Sequence, residues 1–230
     1  MSDVLSPGET LDTLRRAAGR ALAVMAFGEA LHFSEAALRL ASKEKATSST
    51  ASTAPSAGPS SELLELHEIA HEAAFRLDDA EAMSRHFRAI KHDGDPLRVN
   101  EARQLWISRC YAKSWFYGAI RIGWMVFEDL GALSSEEDEE ELVAKAQRYA
   151  RKERPRRLYG RLMRRPPSGE PRSRLVVDTA ARLFLPVLTI TIDKLPVLVY
   201  LILQESLRHG RSGYTGMAFL CWAIIDASRS

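Results

Sequence analysis

The sequence predicts an all-α protein, an amphipathic helical bundle that ends in an apolar helical hairpin. Apolar residues recur at helical spacing over most of the first 134 residues, with charged residues between them. A basic stretch that prolines interrupt follows, and it keeps an apolar side. The last fifty residues, Ala181–Ser230, form two apolar runs joined by a short basic link that contains glycine.

Composition limits what kind of protein this is. The 230 residues are enough for one good core or two small ones, and the formal net charge is only +2. Because the average hydropathy is slightly polar, any membrane character must be local. Cys110 and Cys221 lie far apart without metal or redox spacing, which favours two free thiols in a cytosolic or cytosol-facing protein.

The pattern divides the chain into five regions. They are an N-terminal helix (1–46), a flexible Ser/Thr/Pro-rich loop (47–61), a helical region (62–134), an acidic block followed by a basic amphipathic stretch (135–174), and the apolar C-terminal helical hairpin (175–230). The loop has no large apolar residue, so it cannot bury enough surface to order itself.

Three long helices are expected between residues 11 and 133. The first spans Leu11–Lys45, and the second spans Ser61–Ile90 with Ser61 as its N-cap. The letters HDGDP then signal a turn. The third helix runs from about Arg98 to Leu133, and its aromatic second half suits a buried or bilayer-edge position.

A strongly basic stretch, Lys145–Arg174, follows the acidic block EEDEEE. It is compatible with nucleic-acid phosphates, with anionic lipid headgroups, or with a solvated linker. Its apolar side and its position just before the apolar C-terminus favour the membrane surface. The candidate headgroup ligands are Arg148, Arg151, Lys152, Arg156, Arg157 and Arg161.

The apolar C-terminus is not a simple membrane anchor. Leu183–Leu203 has the length of a span, but Asp193 and Lys194 at its middle would each cost about 2.5–3.5 kcal/mol in a bilayer. Pro196 also breaks the helical bonding. We therefore expect two shorter segments, Leu183–Ile192 and Leu195–Leu203, with a polar kink between them. Buried helices in a soluble α-bundle are the alternative.

The residues His67, Glu68 and His71 match the metalloprotease pattern H-E-x-x-H, which would place two imidazoles on one helix face. Glu65 and Glu72 stand where such sites want uncharged residues. We interpret the segment as a charged helix face and expect no metal there, with these three residues as the candidate ligands that the sequence offers. No phosphate loop, nucleophile elbow or dinucleotide fingerprint is found. We expect no cofactor and no enzymatic activity.

Three segments of the C-terminal half carry a family resemblance. They are WFYGAIRIGWMVFEDLGAL, RLVVDTAARLFLPVLTITIDKLPVLVYL and SGYTGMAFLCWAIIDA. From about Ser108 onward the chain resembles the peroxin-11 family, whose members elongate and divide peroxisomes and have glycosomal relatives. The likeness is in an acidic pair before a glycine-containing turn, an Asp ahead of a Leu-Pro-Val run, and a G-x-x-G apolar segment.

The resemblance implies a non-enzymatic protein of the peroxisomal or glycosomal membrane that remodels or elongates this membrane. Leu142–Arg165 and Ala80–Lys91 are the candidate amphipathic helices. Implied partners are anionic lipids, further copies of the chain and organelle-division machinery, and not nucleic acid. Membrane contact and self-association are assigned to Asp193, Pro196, Gly213 and Gly216. The alternatives are another organelle membrane or the cytoplasm, and a soluble scaffold or complex subunit that uses the hairpin as core or partner interface.

Overall fold

The structure, a computed structural model, describes residues 6–48, 61–134, 139–152 and 155–227. The regular elements within these ranges are helices, so the predicted all-α fold is confirmed. In chain order they are α1 (Pro7–Ala23), α2 (Phe27–Ser48), α3 (Ser61–Arg76), α4 (Ala80–Asp93), α5 (Pro96–Ala112), α6 (Phe116–Asp129), α7 (Glu139–Lys152), α8 (Pro155–Met163), α9 (Pro171–Ile190), α10 (Leu195–His209) and α11 (Thr215–Ala227). Most of the predicted Ser/Thr/Pro-rich loop and the start of the acidic block lie outside the described residues.

The chain divides into two compact units, Met1–Ala102 and Arg103–Ser230. The first contains α1 to α4 and the beginning of α5, and the second contains the rest of α5 and the helices after it. The division therefore falls inside a helix and not in a linker, which is why composition alone gives no sign of it.

Small side chains build the core of the first unit. Two buried clusters join α1, α2 and α3, namely Ala18 with Ala37 and Leu66, and Ala21 with Ala30 and Ala73. Short side chains at a helix contact permit a close approach of the helix axes. An ion pair at 2.9 Å between Arg15 and Glu65 also links α1 to α3.

Each of the three long helices expected between residues 11 and 133 is a pair of helices, so that expectation is wrong. The chain breaks between α1 and α2, between α3 and α4, and between α5 and α6. One residue in each break has a left-handed backbone: Met25 with φ 61°, Asp78 with φ 58° and Ser114 with φ 57°. Each break contains the two reversed hydrogen bonds of a Schellman cap.

The helix α10 lies at the centre of the second unit, in contact with α7, α9 and α11. Its buried residues are Leu195, Pro196, Val197, Leu198, Val199, Leu201, Ile202, Leu203, Glu205 and Ser206. The helices α6 and α9 also pack closely. They meet where Gly123 faces Leu183, and a Cβ at this glycine would lie 3.0 Å from Leu183 Cγ and closer still to its Cδ1.

The apolar run that begins at Leu183 is divided at the position that the sequence predicts. The helix α9 continues through Pro186 to Ile190, a 3₁₀ turn covers Ile192–Lys194, and α10 starts at Leu195. Proline is well suited to the first turn of a helix, where its missing N–H leaves no bond unmade. Pro196 therefore lies in the first turn of α10, where it favours the start of this helix as well as the end of the preceding segment.

Within the described ranges, none of the helices has both the length and the apolar character needed to cross a bilayer.

Candidate functional site

The basic residues chosen from the sequence fall on α7 and α8. Arg148 on α7 is exposed, as are Arg157 and Arg161 on α8. The last two stand four residues apart, so they share a helix face. The side chains of Arg151, Lys152 and Arg156 lie outside the described part of the structure.

The exposed arginines belong to a longer basic segment. Between Glu153 and Glu170 the chain has six arginines and no acidic residue. Arg164 and Arg165, just after α8, are exposed as well. These two bases are not among the headgroup ligands predicted from the sequence. Arg164 and Arg165 therefore add to the exposed basic surface that contains Arg157 and Arg161.

The apolar side of this region is already covered by protein. Leu158 and Leu162 on α8 are fully buried, and Leu142 on α7 is nearly so. The ring centroids of Tyr149 and Tyr200 are 5.3 Å apart, and the two rings meet edge to face. The helices α7 and α8 are amphipathic, as expected, but their apolar residues form part of the core of the second unit.

Exposed aromatic side chains mark the turn between α5 and α6. Trp115 is 65% exposed and Tyr117 is 72% exposed, and Tyr111 is also at the surface. Indole and phenol rings favour the interface between water and lipid headgroups. The sequence predicts Trp115 and Tyr117 within one continuous helix, whose aromatic half suits a buried or bilayer-edge position. In the structure they lie at the start of a separate helix, α6, and are exposed.

The four residues assigned to membrane contact and self-association differ in exposure. Asp193 is exposed in the 3₁₀ turn, and Gly213 and Gly216 are exposed before and within the start of α11. Pro196 is buried in the core of the second unit, where a second copy of the chain cannot reach it. Next to Asp193, the Lys194 ammonium lies 5.2 Å from the ring centre of Trp124.

The H-E-x-x-H residues lie on α3 and have separate partners. Both ring nitrogens of His71 face backbone carbonyl oxygens, at 3.0 Å from Met83 and 3.2 Å from Ala102. Glu68 pairs with Arg98 at 3.2 Å. The imidazole of His71 is therefore engaged in joining α3 to its neighbours, and its nitrogens do not point to a position shared with His67.

His67 instead meets His86 of α4, which the sequence analysis did not single out. Their Nδ1 atoms are 3.0 Å apart, so one nitrogen donates a hydrogen bond and the other accepts it. Nε2 of His86 lies 3.7 Å from a carboxylate oxygen of Glu35, and the same carboxylate pairs with Arg85. The pair borders a cavity of about 450 Å³ on the first unit.

Burial lowers the pKa of these buried and half-buried histidines. Together with repulsion from His67 and Arg85, it lowers the pKa of His86 to about 4. Burial also lowers the pKa values of His67 and His71, and it raises the pKa of the Glu68 carboxyl against the attraction of Arg98.

Both cysteines, Cys110 and Cys221, belong to the second unit and are buried. Burial raises the pKa of the Cys110 thiol and of the Cys221 thiol. A raised pKa leaves little thiolate at neutral pH, so both residues have the character of core residues and not of reactive nucleophiles.

Comparison with models of known protein families, with curated proteins and with solved structures finds no match.

Proposed function

We propose that this chain is a non-enzymatic membrane-shaping protein of the peroxin-11 type that acts at the peroxisomal or glycosomal membrane. The observation that carries the proposal is the exposed basic face of α8, with Arg157 and Arg161 above two buried leucines. Phosphate headgroups of anionic lipids are suited to this face. The family resemblance from Ser108 onward gives the class of membrane and the role in organelle division.

Electrostatic attraction supplies the first contact in this proposal. Each base near an anionic membrane surface contributes about 1 kcal/mol. The six arginines between Glu153 and Glu170 would together give several kcal/mol, with no acid in the segment to oppose them. Such binding weakens as salt concentration rises, because exposed charges are screened.

The helix α4 offers a second surface of the same kind in the first unit. Met83 and Ile90 are buried on one side, and Arg88 and Lys91 are exposed on the other. Asp79 caps its start by accepting from the backbone N–H of Ala82 at 3.0 Å. This helix corresponds to the Ala80–Lys91 candidate, the position nearer to where the family keeps its lipid-remodelling helix.

Insertion requires α8 to exchange one apolar environment for another. Leu158 and Leu162 would leave the protein core and enter the acyl region of one leaflet. Lipid tails are about as apolar as leucine, so the two leucines themselves lose little hydrophobic free energy, whereas the apolar core surface beneath α8 loses its cover. A helix inserted in this way expands one leaflet and favours curvature. We propose that self-association of the chain then concentrates the curvature.

Flotation with lipid vesicles tests the headgroup contact. We expect the full chain to float with vesicles of phosphatidylserine and phosphatidylcholine and not with phosphatidylcholine alone. Replacing Arg157 and Arg161 by Gln removes two charges, which corresponds to about 30-fold weaker binding.

The matched control replaces Arg16 and Arg20 by Gln, since these are also exposed and four residues apart on a helix. Equal loss of binding in the two double variants would show that only the net charge matters. Such a result would refute a dedicated α8 surface.

A soluble helical scaffold, or a subunit of a larger complex, is the second candidate. The observation that favours it is the burial of α10, whose apolar residues form the core of the second unit. Alkaline carbonate treatment of membranes from cells that express the chain separates the candidates. Retention in the pellet supports membrane integration, whereas release, together with failure to float, supports the scaffold.

A further inference from the structure

Three potential metal ligands converge in the second unit, outside the surfaces described above. Glu205 and His209 stand four residues apart at the C-terminal end of α10, so they share a face of that helix. Glu170 is the residue before α9, where its side chain caps the helix. One ligand atom from each of the three residues lies within 4.8 Å of the other two.

Glu205 is buried and offers a carboxylate oxygen that could bind a cation. The residue is only 2% exposed, and its Oε2 atom has no hydrogen-bond partner. The nearest basic side-chain nitrogens, Nη1 of Arg172 and Nε2 of His209, are each 3.7 Å from this oxygen. This distance is too long for a hydrogen bond, and a buried carboxylate oxygen without a donor is costly.

We propose that Glu170, Glu205 and His209 form a binding site for a divalent transition-metal ion, with Zn²⁺ as the probe. Imidazole nitrogen and carboxylate oxygen are both common Zn²⁺ ligands, at about 2.0–2.2 Å from the metal. Three protein ligands leave the fourth position for water. The ligand atoms would have to draw in to about 3.3 Å from one another, which requires movements of about 1 Å.

Neighbouring groups act on a cation in both directions. The C-terminal end of α10 carries partial negative charge, which favours a cation beside Glu205 and His209, whereas the N-terminus of α9 beside Glu170 carries partial positive charge. The Arg172 side chain opposes a cation, but its Nε donates to the carbonyl oxygen of Leu130 at 2.6 Å and so holds the guanidinium in place. Because the Arg172 side chain is one-third exposed, the guanidinium has room to turn toward solvent when a metal binds, at the cost of its hydrogen bond to Leu130.

A metal at this position would cross-link two helices. It would tie the start of α9 to the end of α10, and these two helices pack against each other. An ion that binds the folded state and not the unfolded state raises stability by mass action. This inference does not depend on the proposed membrane function.

Calorimetric titration of the metal-stripped full chain with Zn²⁺ tests the site, with elemental analysis of the product. We expect one equivalent of Zn²⁺, and a rise in melting temperature of about 5–10 °C at 100 times the dissociation constant. Glu205→Gln and His209→Asn should each weaken binding by at least about 100-fold. His209→Asn alters an exposed residue, so it tests the site even where Glu205→Gln impairs folding.

Two matched controls locate the bound ion. His92→Asn removes an exposed histidine beside Asp93, and His67→Asn removes one member of the histidine pair. Both variants should keep the full stoichiometry and affinity. Absence of Zn²⁺ binding by the wild-type chain overturns the inference. Binding that persists in His209→Asn, or that is lost in His67→Asn, also overturns it.

Discussion

At the scale of single residues, one close contact in each unit makes the stability of that unit sensitive to substitution. In the second unit, Gly123 leaves room for the side chain of Leu183, which would overlap any added Cβ. In the first unit, the Nδ1 atoms of His67 and His86 meet at 3.0 Å in a buried place that cannot hold two positive charges easily. Each contact leads to a prediction.

Gly123→Ala should destabilise the second unit by about 1–3 kcal/mol, because an added methyl group in a well-packed core forces side chains and backbone to shift. The control is Gly160→Ala on α8, where nothing lies within 4 Å of the new Cβ. That variant should gain about 0.5–1 kcal/mol, since alanine is the better helix residue. Urea denaturation followed by circular dichroism measures both. Equal effects of the two changes would contradict the close α6–α9 contact.

The stability of the first unit should fall as pH decreases from about 6.5 to about 4. The folded state holds the pKa of His86 at about 4, below its ordinary value of 6.5. The unfolded chain therefore binds a proton first as pH falls, and protonation favours unfolding throughout this window. Below pH 4 the folded state is protonated as well, and this contribution to stability has been lost.

Thermal unfolding at a series of pH values measures this dependence. The variant His86→Asn should show a smaller loss of melting temperature between pH 6.5 and pH 4 than the wild type. His92→Asn, which alters an exposed histidine, should follow the wild-type profile. An identical profile in wild type and His86→Asn would mean that the histidine pair has no part in the acid sensitivity.

At the scale of helices, the same Schellman cap ends α1, α3 and α5, and its left-handed residue is not a glycine in any of the three. At the first break, the N–H of Ala26 donates to Ala21 O at 2.8 Å and the N–H of Met25 donates to Leu22 O at 3.0 Å. The breaks at Asp78 and Ser114 have the same pair of bonds. The cap after α6 does use glycine, with Gly131 at φ 61°.

Replacing Met25 by Gly should stabilise the first unit by about 0.5–1 kcal/mol. A left-handed backbone costs an ordinary residue about 1–2 kcal/mol, and the greater chain entropy of glycine offsets part of the gain. Asp78→Gly should gain less, because aspartate tolerates this conformation better than methionine. Chemical denaturation checks both variants. Destabilisation by Met25→Gly would show that its exposed side chain makes contacts that outweigh the backbone strain.

These caps also explain how far the sequence predicts the elements. Periodicity identifies helical segments on both sides of Met25, Asp78 and Ser114, but it does not mark the breaks between them. Glycine and proline are the usual markers of a break, and neither stands at these positions. At Pro155 and Pro196, by contrast, the chain does begin new helices near the places where prolines interrupt the predicted segments.

At the scale of the whole molecule, the sequence predicts the α-helical class and the exposed basic face, but not how the helices combine. Pairing of His67 with His86, and convergence of Glu170 with Glu205 and His209, depend on helix packing that no local pattern encodes. The same packing buries Leu158 and Leu162, so the apolar side of α8 faces the protein core and is not available to a membrane. The proposed membrane function therefore requires α8 to leave its place.

Electron microscopy of anionic vesicles incubated with the intact protein tests membrane shaping most directly. We expect the wild-type chain to draw vesicles of phosphatidylserine and phosphatidylcholine into tubules. The Arg157→Gln, Arg161→Gln double variant should leave them round, and the matched change at Arg16 and Arg20 should have no effect. Vesicles that bind the wild-type protein and yet keep their shape would contradict the account, because the protein would then attach to membranes without remodelling them.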